Sequence, residues 1–451
     1  MDLSNSFKAY DVRGRIPDEL NPEVVYRIAR AYAEWLKPKR VAVGRDIRHS
    51  SREFSDALTR GLCDSGVDVV DIGLGGTEMV YFATSSLGLD GGVMVTASHN
   101  PPDYNGLKFV REQSRPVSGD TGLQDIRKLA EAGEFVDAVK RGNVVPFDIQ
   151  PSWRDHVLSY VDVGELKPLS IVCNGGNGGA GIALDLLEEQ LPFRFTKVHH
   201  EPDGSFPNGV PNPMLEENRE ATGRSVRLAR ADMGIAFDGD FDRCFFFDEE
   251  GRFIDGYYIV GLLATTFLEQ NRGAPIVHDP RLVWNTQQVV RAHGGRPVQC
   301  KSGHAFMKQG MRNADAIYGG EMSGHHYFRN FAYCDSGMIP WVVMAQHLSR
   351  TGKTLSSLVD ERIKLFPSSG EINRKIGDVQ GAVEAVRSRY QPGSVKVENV
   401  DGLSIEHPRW RFNLRSSNTE PLIRLNVETR GDLPLMQERT AEILEVVERF
   451  A

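Results

Sequence analysis

Three carboxylates stand at alternate positions in Asp238-Gly239-Asp240-Phe241-Asp242, directly after the apolar run Met233 to Phe237. Carboxylate oxygens at that spacing suit a hard cation such as Mg²⁺, which keeps open positions for phosphate or water. An EF-hand is excluded. Its sixth position needs glycine and is Arg243 here, and a strand rather than a helix precedes it, although Glu249 does fall at its twelfth position. A second loop, Thr96-Ala97-Ser98-His99-Asn100-Pro101, presents a serine at the end of another apolar run. It is not a G-x-S-x-G elbow, and a serine and histidine adjacent in sequence do not make a triad. Ser98 reads either as a turn residue or as a carrier of phosphate, whose oxygens would complete the metal shell offered by the three aspartates.

Two further loops could handle a phosphorylated sugar. Arg415-Ser416-Ser417-Asn418-Thr419-Glu420-Pro421 gathers a guanidinium, hydroxyls and an amide between two strand-like segments, a composition that holds phosphate or simply makes a polar turn. Gly319-Gly320-Glu321-Met322-Ser323-Gly324 offers Glu321 and Ser323 to sugar hydroxyls. The neighbouring His325 and His326 lack a third ligand at zinc spacing. Gly176-Asn177-Gly178-Gly179-Ala180-Gly181 matches G-x-G-x-x-G after a strand, and Glu201 stands where a ribose-binding acid would. An NAD-dependent oxidoreductase is therefore a competing reading, as is a catalytically silent sugar-phosphate-binding protein.

The elements that must position these loops repeat. Strand-like runs at Arg40–Gly44, Val67–Ile72 and Gly92–Val95 lead into the Ser98 loop. Leu169–Cys173, Phe193–His199 and Met233–Phe237 lead into the aspartate loop, and Ala274–Val277, Arg296–Cys300 and Ala316–Tyr318 into the Glu321 loop. Helical stretches lie between, so each unit is an α/β layer delivering its loop from a strand's C-terminal end, where open sheets bind ligands. From about Phe366 the pattern changes to strand-like segments at 370–376, 395–400, 410–414 and 423–427 and a last helix at 434–450. The expected division is 1–150, 151–250, 251–366 and a smaller α+β domain at 367–451.

Length and composition bound the function. A chain of 451 residues is long for one core, at roughly 150 residues per domain. A net charge of −8 argues against a general nucleic-acid binder, while local Arg and Lys clusters can still serve an anionic substrate. The five cysteines are scattered without C-x-x-C spacing, which argues against a disulfide framework and fits a reducing compartment. No signal-peptide pattern opens the sequence, and the longest apolar run, around Tyr257 to Phe267, is too short and interrupted to span a bilayer. A cytoplasmic protein is expected.

Taken together the loops resemble those of the α-D-phosphohexomutases, bacterial phosphomannomutases above all, from Phe7-Lys8-Ala9-Tyr10-Asp11-Val12-Arg13-Gly14 to the Arg415 loop. One motif falls in each domain, a joint occurrence far more specific than any single loop. The resemblance implies four domains around a central cleft, with Ser98 as a phosphoserine and Mg²⁺ held by its phosphate and by Asp238, Asp240 and Asp242. It implies transfer of the phosphoryl group to a sugar monophosphate, reorientation of a bound 1,6-bisphosphate, and return of the other phosphate to Ser98, with a trace of hexose 1,6-bisphosphate as activator. Arg13 and Lys108 would lie by the phosphoserine, Lys108 or a nearby histidine acting as general acid and base. His304 and His325 would contact sugar or move protons, Tyr10 would line the cleft, and Arg243 would neutralise charge. Arg415, Ser417, Asn418 and Thr419 would grip the non-reacting phosphate. The implied substrates are mannose phosphates, with glucose phosphates tolerated, in the supply of activated mannose for surface polysaccharide. Phosphoglucomutase and phosphoglucosamine mutase activities remain same-fold alternatives, and monomer and dimer both stay open.

Overall fold

The structure, a computed structural model, describes residues 2–416 and 422–451. Its chain contacts divide into two compact units, Met1–Phe253 with Ser323–Gly352, and Ile254–Met322 with Lys353–Ala451.

In the first unit, strand Arg40–Arg45 runs parallel to Asp68–Leu74 on one side and to Gly91–Val95 on the other. Gly91–Val95 then turns through residues 96–103 and returns as Tyr104–Arg111, antiparallel, with Val12–Arg15 paired antiparallel beyond it. A second sheet repeats this order. Ser170–Asn174 lies parallel to Arg194–Val198 and to Met233–Phe237, and the latter turns through residues 238–243 into the antiparallel return Cys244–Phe247. The Ser98 and aspartate loops therefore occupy the same place in two copies of one motif.

Amphipathic helices cover the first sheet. Pro22–Leu36 starts on Asn21, whose side chain accepts from the Val24 N–H, with proline at the first turn, and ends on Lys37 in the left-handed conformation. It buries Val25, Ile28, Ala29 and Tyr32 in the same core as Phe54, Leu58 and Leu62 of helix Ser51–Asp64. Residues Ser323–Gly352 add the antiparallel pair His326–Phe328 and Cys334–Asp335 and helix Met338–Thr351, buried from Met338 to Ser349. Glu78 fastens this helix to the first sheet's layer: fully buried, it accepts from Gly337 N at 2.7 Å and from Trp153 Nε1 at 2.9 Å.

In the second unit, Pro275–His278 runs parallel to Arg296–Gln299 and Tyr318–Gly320, the parallel core of the motif once more. The C-terminal sheet is wholly antiparallel, in the order Ile372–Lys375, Leu422–Thr429, Trp410–Ser416, Leu403–Glu406, Lys396–Glu398. Helices Val379–Tyr390 and Leu433–Glu448 contribute Val386, Ile443 and Val447 to its core. Buried Glu428 joins the two layers of this unit. It accepts from Val283 N at 2.7 Å and Arg411 Nη1 at 2.8 Å, and the Tyr257 hydroxyl donates to it. Three similar mixed α/β domains and a smaller α+β domain with its own sheet are thus present, as expected. Unanticipated were the return strand Tyr104–Arg111, strand Leu403–Glu406 and the register of the Val12–Arg15 edge. Among the described residues no helix is long and apolar enough to cross a membrane.

Candidate active site

Ser98 and the three aspartates meet in the first unit. Ser98 is buried in the left-handed region at φ 48°, and its Oγ donates to Asp238 Oδ2 at 2.8 Å, with His99 Nδ1 3.2 Å away. One carboxylate oxygen from each of Asp238, Asp240 and Asp242 lies within 4.8 Å of the others. Asp238 Oδ1 and Asp240 Oδ1 are buried without a hydrogen-bond partner among the described residues. Buried carboxylate oxygens so placed are costly unless a cation faces them, so this donor set fits a divalent metal.

The protein's own cations crowd the same point. Lys108 Nζ donates to Asp240 Oδ2 at 2.6 Å and to Asp242 Oδ2 at 2.7 Å. Burial works against its charge, yet Asp240 and Asp242 outweigh it and hold the ammonium above its ordinary pKa. Thr77 donates to Asp240 Oδ2 at 2.5 Å. Arg243 Nε lies 3.3 Å from Asp238 Oδ2, and its Nη2 is 2.8 Å from His99 Nδ1. Burial and then the Arg243 guanidinium push His99 well below the usual histidine range, which keeps the ring neutral. Asp238 moves the opposite way, raised by burial and next by Asp242. Arg13 faces Gly106 across the strand pair, so it shares a sheet face with Lys108 two residues on. It grips Asp11 Oδ2 through Nε at 2.8 Å and donates to Asn100 Oδ1 at 2.6 Å. His325 Nε2 stands 3.7 Å from Asp242 Oδ1 and 3.9 Å from Asp335 Oδ2, and Ser323 Oγ is 3.2 Å from His325 Nδ1.

The second unit assembles the remaining group. Glu321 is buried and accepts from Gly303 N at 2.8 Å, which ties it to the loop that starts helix His304–Ala314 at His304. Arg415, on strand Trp410–Ser416, donates to Glu371 Oε2 at 2.6 Å. Burial raises the Glu371 carboxyl, but Arg281 and Arg415 outweigh it and hold it below the ordinary range. Tyr10 is half-buried, two residues before strand Val12–Arg15. Ser417, Asn418 and Thr419 lie outside the described residues.

The Gly176 loop has another occupation than a dinucleotide. Gly179 N donates to Gly239 O at 3.1 Å, and a Cβ on Gly178 would come within 2.7 Å of that same carbonyl. A Cβ on Gly181 would meet His200 O at 2.1 Å. Gly178 and Gly179 let the turn pack against the aspartate loop, and Gly181 lets it pack against His200.

Sequence reasoning missed Asp46, Arg48, Thr77, Glu78, Asn100 and Glu371. Asp46 and Arg48 do follow a parallel strand's C-terminal end, the same location that made the other loops conspicuous.

Comparison with known proteins covers nearly the whole chain. Four family profiles match in order: phosphoglucomutase/phosphomannomutase alpha/beta/alpha domain I over residues 4–137, domain II over 151–251, domain III over 255–366, and the C-terminal domain over 371–446. A phosphomannomutase of Escherichia coli is 56% identical over 446 residues, covering 97% of this chain and 98% of the relative. A Xanthomonas campestris protein named for phosphohexose mutases is 56% identical over 438 residues, 97% of this chain and 98% of its own. A crystal structure of a phosphoglucomutase/phosphomannomutase family protein from Burkholderia thailandensis superimposes with a TM-score of 0.88 at 31% identity, covering 99% of this chain and 98% of that one.

Proposed function

Since the chain belongs to the phosphoglucomutase/phosphomannomutase family, the α-D-phosphohexomutases, and is an enzyme of intramolecular phosphoryl transfer, we propose that it interconverts mannose 6-phosphate and mannose 1-phosphate through a phosphorylated Ser98. The carrying observation is the hydrogen bond from Ser98 Oγ to Asp238 at the edge of three buried carboxylates. Asp238, Asp240 and Asp242 would hold Mg²⁺ together with the phosphoserine, and the cation supplies charge neutralisation for the transferring phosphoryl group. The proposed division into domains 1–150, 151–250, 251–366 and 367–451 gives each one a single functional loop.

The chain's own residues account for the rest. A sugar hydroxyl attacks the phosphorus on Ser98; the new P–O bond forms as the P–Oγ bond breaks. The hydroxyl proton ends on Ser98 Oγ, which then donates to Asp238 as in the observed contact. After the bound 1,6-bisphosphate turns over, the Oγ proton passes back to the other sugar oxygen as its phosphate returns to Ser98. Lys108 and His304 are the proposed proton carriers, and Arg13 and Arg243 oppose the phosphate charge. Glu321, Ser323, His325 and Tyr10 would read the sugar, while Arg415 with Ser417, Asn418 and Thr419 would grip the non-reacting phosphate in both poses. A trace of hexose 1,6-bisphosphate keeps Ser98 charged. A cytoplasmic location suits sugar-phosphate substrates.

The test combines enzyme, Mg²⁺, a trace of glucose 1,6-bisphosphate and mannose 1-phosphate, with mannose 6-phosphate measured for wild type and Ser98→Ala. Turnover in the wild type and none in the variant is expected; turnover surviving the substitution overturns the phosphoserine. Glucose 1-phosphate run in parallel reports the breadth that the Xanthomonas relative's name suggests.

A further inference from the structure

Arg48 is enclosed in the first unit, 3% exposed, and among the described residues its guanidinium hydrogen bonds go to loop carbonyls rather than to the aspartate triplet. Its guanidinium is spent on the backbone of the loop that carries Ser98. Nη2 donates to Ser98 O at 2.9 Å and Asn100 O at 2.5 Å, and Nη1 donates to Pro101 O at 2.7 Å and Tyr104 O at 3.0 Å. Four carbonyls, from the tip of the loop to the first residue of its return strand, thus converge on one planar fork. Two things hold the fork in place. Asp46 Oδ2 is 3.4 Å from Arg48 Nε, and Asp46 is itself fixed by Ser51 Oγ at 2.5 Å. On the other side Phe206 lies with its ring centroid 5.1 Å from the guanidinium carbon. A Cβ on nearby Gly204 would come within 2.7 Å of Ile47 O, so the Phe206 segment presses closely on the chain beside Arg48.

We propose that Arg48 is a positioning residue for phosphoryl transfer, locking the Ser98 loop into the single backbone shape that aims Oγ at Asp238. The inference rests on the phosphoserine reading above. Serine in the left-handed region is disfavoured unless its surroundings impose it. Here the imposition is visible: the carbonyl of Ser98 itself and those of residues 100, 101 and 104 are bonded to one buried, permanently charged group. A loop free to relax would carry Oγ away from Asp238, and misplacement by about 1 Å costs transfer on the order of 100-fold. Sugar-phosphate binding, which uses other loops, would be spared. Lysine cannot substitute fully, because an ammonium has three donors and no planar fork.

The experiment compares wild type, Arg48→Met and Arg48→Lys in the full chain. For each, kcat and KM for mannose 1-phosphate are measured, together with the rate at which glucose 1,6-bisphosphate phosphorylates Ser98, followed by intact mass, and the melting temperature. The expected result is a kcat and a phosphorylation rate both about 100-fold lower in Arg48→Met with KM within about threefold, and Arg48→Lys recovering less than tenfold of the loss. Wild-type rates in a folded Arg48→Lys, or a raised KM at unchanged kcat, overturn the proposal. Should Arg48→Met fail to fold, Arg48→Lys decides alone. If wild-type Ser98 never takes phosphate, the phosphoserine reading fails and the role of Arg48 falls with it; normal wild-type phosphorylation with unaffected variants sinks the Arg48 proposal only.

Discussion

Ser98 Oγ donates a 2.8 Å hydrogen bond to Asp238 Oδ2 across 140 positions of sequence. Neither residue belongs to the other's sheet, so the contact defines a seam inside the first unit where the proposed phosphate carrier faces the carboxylates. Asp238→Asn keeps the shape and removes one anionic oxygen. It is expected to lower kcat by about 100- to 1,000-fold and to raise the Mg²⁺ concentration needed for half-maximal rate. A Mg²⁺ titration of initial rates checks this; an unchanged Mg²⁺ requirement would remove Asp238 from the ligand set.

Lys108 answers two buried carboxylates at once. Lys108→Met strands Asp240 and Asp242 without their cation and is expected to cost about 3–5 kcal/mol of stability in the absence of divalent metal. Added Mg²⁺ should narrow the gap to wild type by supplying the missing charge. Denaturant titrations with chelator and with excess Mg²⁺ measure both numbers. A penalty equal in the two conditions would show that the ammonium and the metal serve different carboxylates.

Glu78 carries a pH signature. Burial pushes its carboxyl up to about 8 despite hydrogen bonds from Gly337, Met338 and Trp153. The folded state therefore holds the proton more tightly than the unfolded chain does. The group's contribution is full below its ordinary pKa of 4.5 and is lost as pH climbs from there through about 8. Glu78→Gln cannot titrate, so the stability of wild type relative to the variant should fall by roughly 2–5 kcal/mol between pH 5 and pH 8.5. Urea midpoints at the two pH values test it, and a pH-independent difference would mean the carboxyl is already ionised at pH 5.

The proposed phosphate grip of Arg415 predicts an effect on binding rather than on transfer. Its fork is held by Glu371 at 2.6 Å on a strand of the second unit. Arg415→Lys keeps the charge but loses the planar geometry, so KM for mannose 1-phosphate is expected to rise about 10- to 100-fold with kcat within a few-fold. Steady-state kinetics decide; a lost kcat at constant KM would assign Arg415 to the transfer step instead.

What the sequence disclosed and what it withheld follow one physical line. Ser98 and Asp238, Asp240 and Asp242 stood out because polar residues broke an apolar strand at the end where ligands bind. Arg48 in its loop, Glu78 on helix Thr77–Ser86 and Glu428 on strand Leu422–Thr429 did not, since a charged residue looks like surface until its partner, up to 259 positions away, is placed beside it. The strand Tyr104–Arg111 was unread for a related reason. Asn105, Gly106 and Lys108 interrupt its alternation, yet all three are buried, Asn105 on Ser51 and Lys108 on the aspartates. Four of the five strands of the C-terminal sheet were recognised, the three-residue Lys396–Glu398 among them, while Leu403–Glu406 was not.

The repeated order of strands has a consequence for how this chain can change length. The Ser98, aspartate and Glu321 loops all spring from the C-terminal ends of parallel strands, whereas the connections at the opposite end of those sheets lie away from them. Extra residues inserted on that far side lengthen the polypeptide without shifting Ser98 relative to Asp238. Deleting even one residue from 96–103 or 238–243 would break the seam. Tolerance to insertion should therefore be sharply polarised across each sheet, and a random-insertion library of this gene would map the catalytic edge as the silent half of its survivors.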